Sequence, residues 1–170
     1  MKRKVVILIL CLIFVTILLF TRIEEKIVLV MEEQKTGEKI MFQPIDGFFE
    51  LGYTHSVLLT PVDEFFAINE NNDLVLQKTI YESFGVGLPY EQMEDTDFEI
   101  VDGKFILYLN RQFKTLNMVI SPIPKHSITV NGETKYISAL FGDSGEESRN
   151  NTYIIKIYAI RKKVFHFGNF

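Results

Sequence analysis

His55, Ser56 and Glu64 are the residues whose types and spacing come closest to chemistry. Imidazole serves as acid, base or ligand near neutral pH, and His55 falls at the end of a strand-like run, residues 48–53, beside a serine. If Thr60-Pro61 marks a turn, the strands on either side pair and carry the Glu64 carboxylate back towards His55 or Ser56. A carboxylate orienting an imidazole suits ligand binding, metal binding or base catalysis. Two plainer readings stand beside this one. His55 is then a half-buried histidine bonded to a carbonyl or to Glu64, and Thr60-Pro61-Val62-Asp63 is a helix cap with proline at the first helical position. The Phe65-Phe66 pair and the alternation of Val62, Glu64, Phe66 and Ile68 favour a strand. A Ser56–His55–Glu64 triad is disfavoured, because adjacent strand residues point to opposite faces. No catalytic residue is assigned, and the chain is not read as an enzyme.

A second group lies in residues 83–89, Ser-Phe-Gly-Val-Gly-Leu-Pro. Gly85 and Gly87 flank Val86, and glycines so placed let backbone amides approach a ligand or form a small anion-binding concavity. Phe84 and Pro89 complete the candidate ligand- or partner-binding set. A tight strand-ending turn with positive φ explains the same glycines equally well. The third glycine of a dinucleotide fingerprint and the Lys-Ser/Thr of a phosphate loop are absent, so no nucleotide cofactor is implied. Glu91, Glu94, Asp95 and Asp97 match calcium loops weakly and read as a solvated acidic run. His126 and His166 lack ligand-spaced neighbours, and no metal site is assigned.

The elements that position these residues read as strands. Residues 27–31, 48–53, 64–68, 74–81, 98–101, 104–109, 116–120, 127–130, 134–140 and 153–160 are short runs of β-branched, aromatic and aliphatic residues, with 163–167 as a further candidate. Several alternate apolar and polar positions, as one buried face requires. Asp102-Gly103 and Asn131-Gly132 are strong hairpin dipeptides, because their residues tolerate the positive φ of a type I′ turn. Residues 32–39 read as a charged hairpin or loop, and residues 142–152 as a polar loop. The expected fold is all-β: an antiparallel β-sandwich or partly closed barrel preceded by a single N-terminal transmembrane helix.

That helix is expected over residues 5–20, which carry no charge and follow Lys2, Arg3 and Lys4. A span of this length, about 24 Å, is slightly short of a hydrocarbon core of about 30 Å, and flanking basic side chains can snorkel to cover the difference. Small residues for signal cleavage do not follow, and Leu10 before Cys11 disfavours lipoprotein processing. Residues 1–22 are therefore read as an uncleaved signal anchor with a cytoplasmic N-terminus, and residues 23–170 as an extracytoplasmic domain. That outer part has no cysteine, so its core alone must stabilise it. It holds 14 basic and 22 acidic residues, a net charge of −8, which argues against nucleic acid as a partner.

His-Ser-Val at residues 55–57, Pro-Val-Asp-Glu-Phe at 61–65 and Ser-Phe-Gly-Val-Gly-Leu-Pro at 83–89 together resemble the bacterial family known as domain of unknown function 1850. The resemblance covers about Phe49 to Pro89, roughly a quarter of the chain. It implies a small extracytoplasmic protein associated with TRAP transporters of the TAXI type, with His55 and Ser56 inside the signature. Leu58 departs from the polar or acidic residue that often follows His-Ser-Val in that family, which implies either a more apolar site or a position that does no recognition work. The chain carries no transporter portion, so a transporter subunit or its solute-binding protein is expected as a partner in trans. The alternative is a stand-alone module binding a small anion, carboxylate or metal through His55, Glu64 and the Gly85–Gly87 loop.

Overall fold

The computed structural model describes residues 2–55, 57–83, 97–121, 123–142 and 152–167. Helix α1 (Lys2–Phe20) leads directly into β1 (Thr21–Glu33), followed by β2 (Lys39–Phe42), β3 (Phe48–Thr54), β4 (Pro61–Ile68) and β5 (Leu74–Tyr81). Then come β6 (Asp97–Val101), β7 (Lys104–Phe113), β8 (Leu116–Ile120), β9 (Ser127–Val130), β10 (Glu133–Tyr136), a single helical turn α2 (Ile137–Leu140) and β11 (Tyr153–Phe167). By contacts the chain forms two compact units: residues 27–160, and residues 1–26 with 161–170.

The strands assemble into a four-stranded sheet, β2-β1-β11-β8, and a seven-stranded sheet, β10-β9-β3-β4-β5-β7-β6. Every pairing with a described register is antiparallel. Neither sheet closes, so the fold is sandwich-like and the partly closed barrel is set aside. Within residues 27–160 one apolar cluster draws on both sheets. Leu29 and Met31 of β1, Ile120 of β8 and Ile155 and Ile157 of β11 pack with Phe49, Leu51, Phe66, Leu74 and Ile128 of the larger sheet. A second, smaller cluster of Val62, Tyr81 and Leu107 lies on the larger sheet.

Period-two alternation makes this possible. Along β5 the buried positions are Leu74, Leu76, Thr79 and Tyr81, and the slip between 76 and 79 is a bulge that shifts the register against β4 and β7. Such an extra residue resets which side chains face inward. The two hairpin dipeptides form as expected: Asp102 and Gly103 have φ of 50° and 77°, Asn131 and Gly132 of 52° and 80°, the left-handed pair a type I′ turn needs. Asn131 also clamps the chain entering β3, accepting from the Ile45 amide at 2.9 Å and donating to the Gln43 carbonyl at 2.9 Å.

Three segments differ from expectation. Residues 32–39 make a hairpin turn, and residues 39–42 form a strand outside the expected set, β2, because Ile40 and Phe42 pack against the main cluster while the Glu33 carboxylate accepts from the Lys35 and Thr36 amides and closes the turn. The strand expected over 134–140 stops at Tyr136, whose ladder partner Ser127 is the first residue of β9. With no further partner the chain turns into α2, which buries Ile137 and the following Phe141 in the core. The segments 153–160 and 163–167 are one continuous strand, β11.

Helix α1 covers the expected apolar run, and Val5, Val6, Ile7, Ile9, Leu10, Leu12 and Ile13 are exposed. Among the described residues no helix is long and apolar enough to cross a membrane; the side chains of residues 14–23 lie outside that set.

Leu51 is 1 % exposed and belongs to the cluster that both sheets share, whereas Val119 is 62 % exposed. Leu51→Ala is expected to lower the unfolding free energy by about 2–5 kcal/mol in urea titrations, while Val119→Ala stays within about 0.5 kcal/mol. Equal effects of the two would contradict the core assignment.

Candidate functional site

The hairpin joining β3 to β4 carries the first candidate. His55 and Thr60 close it: the His55 amide donates to the Thr60 carbonyl at 2.9 Å, and the Leu59 amide donates to the His55 carbonyl at 2.9 Å. The His55 side chain is buried, and its Nδ1 accepts from the amides of Val57 and Leu58, each at 3.3 Å. Three successive amides thus fold back onto one residue. The imidazole thus caps the loop through backbone amides, whereas the plainer reading of the sequence has it bonded to a carbonyl or to Glu64.

Capping His55 leaves the loop side chains outward. Val57, Leu58 and Leu59 are 68 %, 38 % and 71 % exposed. Leu59 has φ of 55°, a left-handed conformation that glycine or asparagine adopts far more readily than leucine. The neighbouring segment runs alongside, since the Thr54 amide donates to the Pro124 carbonyl at 2.6 Å, and Ile123 there is also exposed. On the other side, the Thr60 and Ser83 hydroxyls are hydrogen-bonded at 2.8 Å. Ser83, the first residue of the 83–89 signature, is thereby joined to Thr60 of the β3–β4 hairpin. Ser56, Phe84, Gly85, Gly87 and Pro89 lie outside the described residues, as do Glu91, Glu94 and Asp95.

Glu64 is not brought to His55. In the β3–β4 register it stands opposite Leu51, four pairs in from the His55–Thr60 closure. At about 3.4 Å per residue that is about 13 Å along the strand. The expected carboxylate–imidazole pair does not form, because the hairpin closes at Thr60 and the register follows from there. Glu64 instead occupies the inner face. Its row across the larger sheet reads Ile128, Leu51, Glu64, Thr79, Leu107 and Phe98, with every member but Glu64 and Thr79 apolar. The next row places Tyr53 beside Val62 and Tyr81 beside Val62 on its other flank. Tyr53 is thus the diagonal neighbour of Glu64, within reach of a long side chain.

Sequence reasoning missed this constellation of Tyr53, Thr79 and His126 around Glu64. The His126 ring lies 5.9 Å from that of Tyr53, and its buried Nδ1 has no hydrogen-bond partner among the described residues. The signal was present for Glu64 alone, in its parity with Val62, Phe66 and Ile68. The electrostatics follow burial. Desolvation raises the Glu64 carboxyl above its ordinary value. Desolvation, then the nearby Glu64 charge, pushes the Tyr53 hydroxyl up to about 12. Desolvation lowers His126, keeping it neutral at pH 7. Among the described residues no group of three or more His, Cys, Asp or Glu is placed to hold a metal ion.

A family model described as domain of unknown function (DUF1850) matches residues 49–136, a little over half of the chain. No curated protein and no solved structure matches it.

Two outcomes are expected. His55→Ala should speed amide hydrogen exchange at Val57 and Leu58, each losing a hydrogen bond worth about 1 kcal/mol, with His55→Asn intermediate; unchanged exchange would refute the capping role. For Glu64, the raised pKa means the folded state holds its proton more tightly than the unfolded state, so this contribution to stability is full below about pH 4.5 and is lost as pH rises through the folded value. The melting temperature of Glu64→Gln minus that of the parent should therefore grow from about pH 4.5 upward and then level off. A difference that shrinks over that range would show the opposite shift.

Proposed function

The chain belongs to the DUF1850 family, and from that premise we propose that it is a membrane-anchored extracytoplasmic β-sandwich module that docks onto a component of a TAXI-type TRAP transport system. The observation that carries the docking role is Leu59. It is exposed and sits at positive φ, so neither the core nor the backbone accounts for a leucine there. Left-handed geometry costs a side chain with a Cβ about 1–2 kcal/mol. A partner that covers residues 57–59 and Ile123 gives that apolar tip a use, since exposed aliphatic clusters mark interaction surfaces. Docking here also accounts for Leu58 standing where the family often has a polar residue.

Support for the anchor comes from α1. Its apolar part, residues 5–20, carries no charge and extends about 24 Å at 1.5 Å per residue, and the flanking basic side chains can snorkel to cover the remainder of a hydrocarbon core. Lys2, Arg3 and Lys4 ahead of that run support a cytoplasmic N-terminus with the sheets outside.

A second reading is a module that binds a small ligand. It is favoured by Glu64, a carboxylate on the inner face with no hydrogen bond to any described group.

The docking reading is tested by purifying the tagged full-length chain in mild detergent and identifying co-purifying proteins. Transporter subunits or their solute-binding protein are expected with the parent chain. They should be lost with Val57→Ser, Leu58→Ser and Leu59→Asn combined, a variant that keeps the left-handed position comfortable and the fold intact. Absence of any transport component, together with unchanged uptake after deletion of the chain, overturns the reading.

A further inference from the structure

Strands β1 and β11 overrun the partners on their outer sides. The described ladder of β1 with β2 reaches no further back than Leu29, and that of β11 with β8 no further on than Ile157. Yet β1 begins at Thr21 and β11 runs to Phe167. The two are neighbours in the sheet. The Gln34 amide donates to the Ile154 carbonyl at 2.8 Å, so the end of β1 meets the start of β11 and the strands run antiparallel. The later residues of β11 therefore return towards the start of β1, which follows helix α1 without a break. Residues 161–170 accordingly group with residues 1–26 in one compact unit.

That grouping sorts the charge of the chain. Residues 27–160 hold 10 basic and 20 acidic residues, a net charge of −10. Residues 21–26 and 161–170 hold Arg22, Lys26, Arg161, Lys162 and Lys163 against Glu24 and Glu25, a net charge of +3. Lys26 pairs with Glu24 at 3.9 Å, which leaves Arg22 and the three cations of β11 against Glu25 in the balance. Lys162 and Lys163 are exposed, and Arg161 is half-buried. After this triplet the sequence of β11 changes to Val164-Phe165-His166-Phe167, and residues 161–170 contain no acidic side chain. Basic residues thus give way to apolar and aromatic ones as the strand approaches the helix end. A bilayer edge has the same order, phosphate first and the acyl boundary beyond it.

We propose that the ribbon of residues 21–26 and 161–167 is a lipid-facing surface that binds the headgroups of anionic phospholipids around the anchor. Arg161, Lys162 and Lys163 meet the lipid phosphates, and the strand residues that follow reach the acyl boundary. Arginine and lysine only donate hydrogen bonds and phosphate oxygens accept them, so the two are complementary in charge and in bonding. Each basic residue near an anionic surface strengthens binding about fivefold. Residues 27–160 carry the opposite sign and are repelled by the same lipids, which confines the attraction to the ribbon. This inference rests on the anchor reading and is independent of the apolar tip.

The test is reconstitution of the full-length chain in nanodiscs of phosphatidylcholine and phosphatidylglycerol in equal parts. Lipids retained on mild detergent release are then counted by native mass spectrometry. Retention of phosphatidylglycerol over phosphatidylcholine by about tenfold or more is expected at low salt, falling as salt is raised. Arg161→Gln, Lys162→Gln and Lys163→Gln combined should reduce the preference to a few-fold. Lys162→Gln with Lys163→Gln, both at exposed positions, should give an intermediate value while keeping the parent's melting temperature in neutral detergent. Lys104→Gln, Lys125→Gln and Lys135→Gln combined remove the same charge elsewhere and should leave the preference as it is. An unchanged preference in the triple β11 variant, a preference indifferent to salt, or an equal loss in the control variant overturns the proposal. Displacement of the lipid by excess inorganic phosphate does so too, since it would show a site for free anions. The anchor is read separately, from washing pure phosphatidylcholine vesicles at alkaline pH: release of the chain there refutes the anchor, whereas lipid preference is decided by the mass spectra.

Discussion

The pairing of β4 with β3 on one side and β5 on the other sets the constraint from which the remaining features of residues 27–160 follow. Strand side chains alternate strictly, so a register fixed at any rung decides the facing of every residue in the row. His55 and Thr60 fix that register by closing the hairpin. Phe49, Leu51, Phe66 and Ile68 are then directed into the cluster shared with the four-stranded sheet. Without a disulfide to restrain the unfolded chain, this shared cluster carries the stability of the fold.

The same alternation that builds the core also places an ionisable group inside it. Glu64 holds the same parity as Val62 and Phe66, and among the described residues no cation lowers its pKa. Its desolvation works against folding whenever the carboxylate is ionised. A comparable tension exists at the hairpin tip, where Leu59 adopts a conformation that glycine would hold at lower cost. Both are places where stability has been given up locally, and proteins concentrate such concessions at sites of interaction.

Much of the sheet was legible because its signals are local. Asp102-Gly103 and Asn131-Gly132 announce their turns in two residues, and the β5 run shows its buried face through alternation alone. The short helix α2 was hidden because its cause is distant: β9 ends, and Tyr136 has no further strand to pair with. His126 looked bland for the same reason. Its neighbour is Tyr53, far along the chain, and only the β3–β9 pairing brings the two rings together. The expected meeting of His55 and Glu64 failed on the hairpin register, a quantity that turn residues suggest but do not set. Val57, Leu58 and Leu59 are aliphatic by type, and it takes the loop geometry, with His55 capping inward, to show that they point out.

The margins of the larger sheet bear on how another molecule can join it. At one margin, β10 is four residues long, exposed throughout, and carries Glu133 and Lys135 in an ion pair of 3.6 Å. At the other, β6 is five residues long and presents Asp97 and Glu99. Short, charged border strands are poor templates for the backbone of an incoming chain. Lateral growth by strand addition is thereby discouraged on both sides, against self-association as much as against foreign strands. A partner docking as proposed would therefore meet side chains at the sheet's end, where the fit depends on residue identity rather than on main-chain complementarity.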